Sequence, residues 1–311
     1  MLLAMRARLL AAFAAVYLIW GSTYLAIRFA VETLPPLLMA GVRFLIAGAI
    51  LLLWARLRDG SPGPTRRDWI TGLFGGALLL LGGNGAVVWA EQRVPSGIAA
   101  LLVAVVPLWM VLLDWLRAGG RRPAALVFAG LGLGLVGLGL LVGPDALRAG
   151  NGVDPAGAAV LMAGSLSWAV GSLYTKGAPR PSSANIGSGT QMLAGGLCLL
   201  VVALLRGEGS QLDLAHASAR SLIGFAYLVT FGSLIGFTAY YYLLSHTTAA
   251  RAATYAYVNP VVAVLLGWAF ASEPITSRTL VAAAVILAGV AIITIARDTS
   301  APTSSEARAA A

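Results

Sequence analysis

The chain is poor in charge, in cysteine and in histidine. Only 11% of its 311 residues are Asp, Glu, Lys or Arg, where soluble domains carry roughly 25%. So few ionic groups cannot dress a water-facing surface, which excludes a soluble enzyme or soluble binding module. The lone cysteine, Cys198, lies inside an apolar run and forbids an internal disulfide. His216 and His246 stand apart near loops, without the spacing of metal ligands. No metal and no other cofactor is implied. Acidic residues number 12 against 21 basic ones. The basic residues fall in short loops between apolar runs, which points to lipid headgroups and topology and away from nucleic acid. The alternating pattern of a membrane barrel is missing too.

Apolar sequence is what the chain has in abundance. Hydrophobic residues make up 59% of it, and its mean hydropathy is +0.86. Its 37 glycines are about 12% where ~7% is usual, which suits helices packed closely through small residues. Apolar windows fall near 9–30, 36–55, 69–90, 96–117 and 123–143, then near 154–174, 184–205, 219–243, 250–272 and 278–297. Each can cross a hydrocarbon core of about 30 Å at 1.5 Å per residue. Helices satisfy their own backbone groups there. The sequence predicts an all-α integral membrane protein with ten transmembrane helices. Arg6 and Arg8 ahead of an apolar stretch mimic a signal peptide, but the run continues unbroken to Ile27 and reads as a retained first helix. The small, polar residues from Thr299 onward read as a disordered cytoplasmic tail.

The pattern repeats with its direction reversed. Trp20, Arg28, Gly41, Arg43 and Gly48 recur 148 positions on as Trp168, Lys176, Gly189, Gln191 and Gly196. Val106-Pro107-Leu108 matches Asn259-Pro260-Val261 at an offset of 153. Each copy holds five apolar runs, an odd number, so the second copy enters the bilayer upside down. This predicts a first unit over 1–150, an inverted second unit over 151–298 and a tail over 299–311. Fourteen basic residues fall in loops on one side and five on the other, with Arg28 and Arg43 within spans. That bias places both termini in the cytoplasm. Inverted halves of this kind form one site that opens to either side, which points to transport.

Candidate site residues follow from polarity inside the spans. Arg43 lies about seven residues into its span, roughly 10 Å deep. An intramembrane Arg faces protein or water, so it either contacts a substrate carboxylate or gate, or anchors helix-end carbonyls. Its counterpart Gln191 is polar without charge. Arg28 and Lys176 share the eighth position after their tryptophans, placing them at opposite mouths as gates or as snorkelling residues. Pro107 and Pro260 break the amide ladder near the middle of their spans, freeing carbonyls near Val103 and Ala256, and are expected hinges. Asn259 adds an amide beside one hinge. Trp20, Ser22, Thr23, Asn84, Trp168, Tyr255 and Asn259 are the expected substrate-binding residues, in a cavity with aromatic faces. Tyr255 and Tyr257 point to different faces, so only one lines it squarely. Glu91 beside Arg93, and Asp114 three residues before Arg117, are expected local ion pairs. Gly132-x-Gly134-x-x-Gly137 lies inside an apolar helix and is no dinucleotide loop. Gly130-x-x-x-Gly134 and Gly139-x-x-x-Gly143 instead predict close helix packing.

Trp20-Gly-Ser-Thr-Tyr24, Ile27-Arg28, Pro35-Pro36 and Met39-Ala-Gly-Val-Arg-Phe44 resemble the opening of the EamA family, within the drug/metabolite transporter superfamily. Gly83-Asn84-Gly85, Ala90-Glu91, Val94-Pro-Ser-Gly-Ile-Ala99 and Tyr255-Ala-Tyr-Val-Asn-Pro-Val-Val262 extend the match over about residues 9–297. The resemblance implies an inner-membrane transporter of ten helices in two halves that exports small metabolites. The expected function is thus secondary transport of small metabolites, amino-acid-like compounds or drugs by alternating access, without enzymatic activity. Its partners are a small-molecule substrate and membrane lipids, with no nucleic acid. A membrane-embedded lipid-modifying enzyme and a non-transporting scaffold stay open as alternatives.

Overall fold

Helix starts are set by local chemistry. In the computed structural model, which describes residues 2–94, 99, 102–117, 122–142, 154–271 and 277–295, Thr65, Asp154, Ser183, Ser218 and Thr248 each accept a backbone N–H of the helix that follows. These side chains satisfy donors that a helix start leaves unpaired. Pro36 and Pro155 open their helices, where a missing N–H costs nothing.

In chain order, α1 runs as Leu2–Ala15, Val16–Trp20 and Gly21–Ala30, the middle piece being π-helical. Helix α2 is Pro36–Leu57, and α3 runs as Arg66–Gly76, π-helical Ala77–Asn84 and Gly85–Ala90. Helices α4 (Val106–Leu116) and α5 (Ala125–Val142) complete the first half. The second holds α6 (Pro155–Gly177), α7 (Ala184–Leu205), and α8 as Ala219–Tyr227, π-helical Leu228–Phe237 and Thr238–His246. Helix α9 is broken at residues 253 and 254 into Ala249–Ala252 and Tyr255–Ala271, and α10 is Ser277–Ile295. No strand occurs among the described residues. Six of these helices, α1, α2, α3, α6, α7 and α8, are long and apolar enough to cross a membrane.

Small residues let neighbouring helices touch. Gly41 of α2 lies against the Gly196 carbonyl of α7, and Gly48 against the Gly189 carbonyl. The order reverses along α7, so the two helices cross antiparallel. Gly130 of α5 meets Gly289 of α10, while Gly137 meets Ile286 and Ala282, again antiparallel. Gly134 receives the ring of the fully buried Tyr257. The expected packing face of α5 is therefore used at Gly130 and Gly134. At Gly139 it is not, because nothing approaches within 4 Å; Gly143 lies outside the described residues.

Several expectations change. The helix that carries the apolar window near 9–30 reaches back to Leu2, because apolar and small residues carry it outward past Arg6 and Arg8. Pro107 is not in the middle of a helix: it is the second residue of α4, just after a turn at residues 104 and 105. That early position needs no amide donor from Pro107. Pro260 does sit inside its helix, but the break in α9 comes earlier, at Ala253 and Thr254. There the ladder tightens to i+3 bonds from Ala256 to Ala253 and from Tyr257 to Thr254. The 150/151 boundary and the tail over 299–311 lie outside the described residues.

Candidate functional site

The three π-helical stretches converge on one cavity. Residues from all of them wall it: Trp20 from α1, Leu80, Gly83 and Asn84 from α3, Gly232 and Phe237 from α8. The cavity encloses about 80 Å³. A π-helical turn inserts an extra residue and misaligns the backbone ladder, so such turns concentrate at functional positions. Here the loosened carbonyls take side-chain donors from other helices. The Trp20 indole N–H donates to the Gly232 carbonyl at 3.1 Å, and the Ser167 hydroxyl donates to the Leu78 carbonyl at 2.8 Å.

Three rings of a four-ring cluster form one side of the chamber. Trp20 meets Trp168 edge-on with centroids 5.6 Å apart and meets Tyr255 at 4.9 Å and 83°. Tyr240 closes the group at 5.0 Å from Trp20 and 5.7 Å from Trp168. Its hydroxyl accepts the Trp168 N–H at 3.2 Å and pairs with Ser172 at 2.7 Å. Edge-to-face pairs of this kind add about 0.5–1.5 kcal/mol each beyond burial. With both indole N–H groups already bonded, the cluster offers ring faces and edges to whatever enters.

The polar side of the cavity is different in kind. Arg43 is 4% exposed and lines the chamber. Its Nε donates to the Ser233 hydroxyl at 2.9 Å, its guanidinium carbon lies 4.3 Å from the Phe44 ring centre, and its Nη1 has no acceptor. Among the described residues, no carboxylate pairs with it. A charge removed from water without an opposite charge costs several kcal/mol, so this arrangement is held at a price in stability. Asn84 and Asn259 also line the cavity, and each has a buried side-chain oxygen without a donor.

Below the aromatic group, the Tyr17 hydroxyl bonds Thr254 Oγ1 at 2.6 Å, tying α1 to the break in α9. Tyr17 also lines a second, wider cleft of about 690 Å³ with Leu9, Phe13, His246, Thr247 and Arg251.

The sequence pattern of the EamA-like transporter family matches residues 7–143 and again 155–295. The chain belongs to the EamA-like transporter family. It is 41% identical over 284 residues to "Uncharacterized inner membrane transporter YedA" of Escherichia coli strain K12, covering 91% of this chain and 89% of that one. It is 28% identical to "Protein PecM" of Dickeya dadantii, with 88% of each covered. A crystal structure of a protein 20% identical to it superposes with a TM-score of 0.72 over 93% of this chain and 98% of the other. That likeness extends to the fold alone.

In this EamA-like transporter, Trp20, Thr23, Arg43, Asn84, Trp168, Tyr255 and Asn259 line a single cavity, as Tyr24 does too. Tyr255 faces the chamber while Tyr257 is buried against α5. Other predicted residues stand elsewhere. Ser22 turns aside to the Ile19 carbonyl and the Tyr227 hydroxyl. Lys176 Nζ donates to the carbonyls of Leu244 and Thr247, closing the end of α8. This is an anchor of the sort a helix C-terminus attracts. Gln191 bonds Thr175 at 2.8 Å and packs against Gly75, away from the cavity. Arg28 is exposed and acts electrostatically on Glu91. Pro107 and Pro260 are absent from the cavity wall, although their neighbours Val106 and Asn259 are in it.

The two expected ion pairs also divide. Arg117 binds Asp114 at 2.8 Å. Arg93 stacks over Trp89 at 4.5 Å instead of pairing with Glu91, whose carboxyl oxygens are buried without a donor. Sequence reasoning missed Ser233 and the ring of Tyr240. Ser233 sits in an apolar run that gives no signal of its own. Tyr240 stands among three consecutive tyrosines, and only the winding of α8 selects which one joins the ring cluster.

Proposed function

We propose that the chain is a secondary transporter working by alternating access, with two inverted five-helix halves over 1–150 and 151–298. In this reading it crosses the inner membrane ten times and keeps both termini on the cytoplasmic face. The observation that carries the reading is one chamber walled by both halves, where Trp20 and its repeat partner Trp168 meet. The family pattern matches each half separately. Contacts also exchange between the halves: Trp168 packs over Gly83, and Trp20 over Gly236. Gly41 with Gly196 and Gly48 with Gly189 form a second exchanged set. Two-fold exchange is what an axis between inverted copies generates.

Six long apolar helices support multiple crossings, and the shorter α4, α5, α9 and α10 occupy the four remaining apolar windows. The name of the Escherichia coli relative, an inner membrane transporter, supports the location. The excess of basic residues on the terminal side supports the orientation. The wide cleft by Tyr17 is then the cytoplasmic approach, closed by the Tyr17–Thr254 bond and the four rings. Its cargo is a small organic solute, and export is the direction the family resemblance implies.

Reconstitution into liposomes tests the reading. Counterflow of a small solute should saturate with concentration, and Asn259→Ala should lower its rate without lowering the amount of protein inserted. Flux that rises linearly indicates a channel, and a converted product indicates an enzyme; either outcome overturns the proposal. Cysteines placed by Gly60→Cys and Ser210→Cys should label from opposite faces of the membrane. Labelling from the same face removes the inverted arrangement.

A further inference from the structure

We infer that Arg43 is the recognition residue for an anionic head group, and that the cargo is a small organic carboxylate. The inference rests on the transport reading and gives it a substrate class. Among the described residues, Arg43 is the only charged side chain in the wall of the chamber. It is more than nine-tenths buried, with Nη1 lacking an acceptor and, among the described residues, no acid paired to it. Ser233 holds Nε, which fixes the plane of the guanidinium. A guanidinium held in this way, with Nη1 left over, suits a carboxylate oxygen. One buried positive charge without an acid partner among the described residues calls for one negative charge.

The rest of the wall narrows the choice. Inorganic phosphate brings more charge and more acceptor atoms than a single guanidinium serves. Among the chamber's other polar groups, which include Thr23, Tyr24, Ser165 and Tyr255, the side-chain oxygens of Asn84 and Asn259 lack donors. They would meet a hydrogen-bond donor on the same ligand, such as an ammonium or hydroxyl group. The ring faces of Trp20, Trp168 and Tyr255 meet its apolar body. The small volume of the chamber keeps that body small. Gln191, at the position equivalent to Arg43, is turned away, so the anion site is single although the halves are duplicated.

The test uses purified full-length protein and four matched probes: L-leucine, 4-methylpentanoate, L-leucinamide and 3-methylbutylamine, with inorganic phosphate as a fifth. Quenching of tryptophan fluorescence reads binding, because Trp20 and Trp168 wall the chamber. The two carboxylates should bind, with the amide, the amine and phosphate at least about tenfold weaker. Arg43→Gln should weaken carboxylate binding roughly ten- to hundredfold, the range of one charge-assisted hydrogen bond. Arg43→Lys, which keeps the charge and tests whether the protein still folds, should weaken it less. Equal binding of leucinamide and leucine overturns the inference. So does carboxylate binding that is unchanged in Arg43→Gln, or failure of both carboxylates to bind at millimolar concentration. Counterflow on the same samples separates the two readings. Carboxylates that bind but never exchange leave the anion site standing and remove transport. Amines that exchange saturably while carboxylates do not bind leave transport standing and remove the anion site.

Discussion

Gly83→Ala is a one-methyl perturbation of the chamber. A Cβ on residue 83 would sit 2.6 Å from Cε3 of the Trp168 indole and 3.3 Å from its Cβ. Carbon atoms rest at about 3.5–4.0 Å, so the ring must retreat by roughly 1 Å. It has little room to do so. Trp20 stands edge-on against it with centroids 5.6 Å apart, and its N–H is held by Tyr240 at 3.2 Å. Overpacking of this kind costs about 1–3 kcal/mol, and loss of the hydrogen bond adds about 1 kcal/mol. The total, roughly 2–4 kcal/mol, should lower the melting temperature of the purified protein by several degrees. Near-ultraviolet circular dichroism should change as well, because two tryptophans move relative to each other. Gly132→Ala is the control, as nothing lies within 4 Å of the added methyl. If the two variants melt together and keep identical tryptophan spectra, the reasoning about close approach is wrong.

Three further outcomes are expected. Glu208 is buried, and its carboxylate accepts the Leu38 N–H at 2.8 Å at the start of α2. Glu208→Ala should therefore destabilise by about 1–2 kcal/mol in thermal melts, while Glu208→Gln keeps most of that loss from appearing. Lys176→Gln should lower the melting temperature by removing donors to Leu244 and Thr247, yet leave the preference among solutes unchanged; altered preference would restore Lys176 as a gate. Burial raises Glu91 to about 8, against the lowering pull of Arg28. The folded protein thus holds a proton that the unfolded chain releases near the usual carboxylate value. This contribution to stability falls as pH rises from about 4.5 to about 8 and levels off above it, so melts between about pH 5 and 8 should show the slope. Glu91→Gln should flatten it.

Much of the site was legible because polarity is costly in lipid. A charged residue such as Arg43 within an apolar run cannot face hydrocarbon, so its inward position follows from the sequence. The same holds for Asn84 and Asn259, which both reach the cavity. Ser22 shows where that logic stops. A hydroxyl can satisfy itself on its own helix, and Ser22 does so at the Ile19 carbonyl, with Tyr227 as a second partner. Lys176 shows a second limit. Its long stem reaches the end of α8, a helix 68 residues further on, and no spacing within the chain announces that partner. Pro107 shows a third, since a proline that looks central to an apolar window can instead open a new helix after a turn.

By itself, the sequence determined that the chain belongs in a membrane, that it is helical, and roughly where each helix lies. Those properties depend on composition and on the length of apolar runs, which the bilayer reads locally. Its spacing also made the duplication visible. Tertiary structure alone decided which faces meet: where α1, α3 and α8 wind into π-helical turns, which tyrosine closes the aromatic group, and that Ser233 braces Arg43. These choices depend on contacts between residues about 190 positions apart, where packing and pairing, rather than local preference, set the energy.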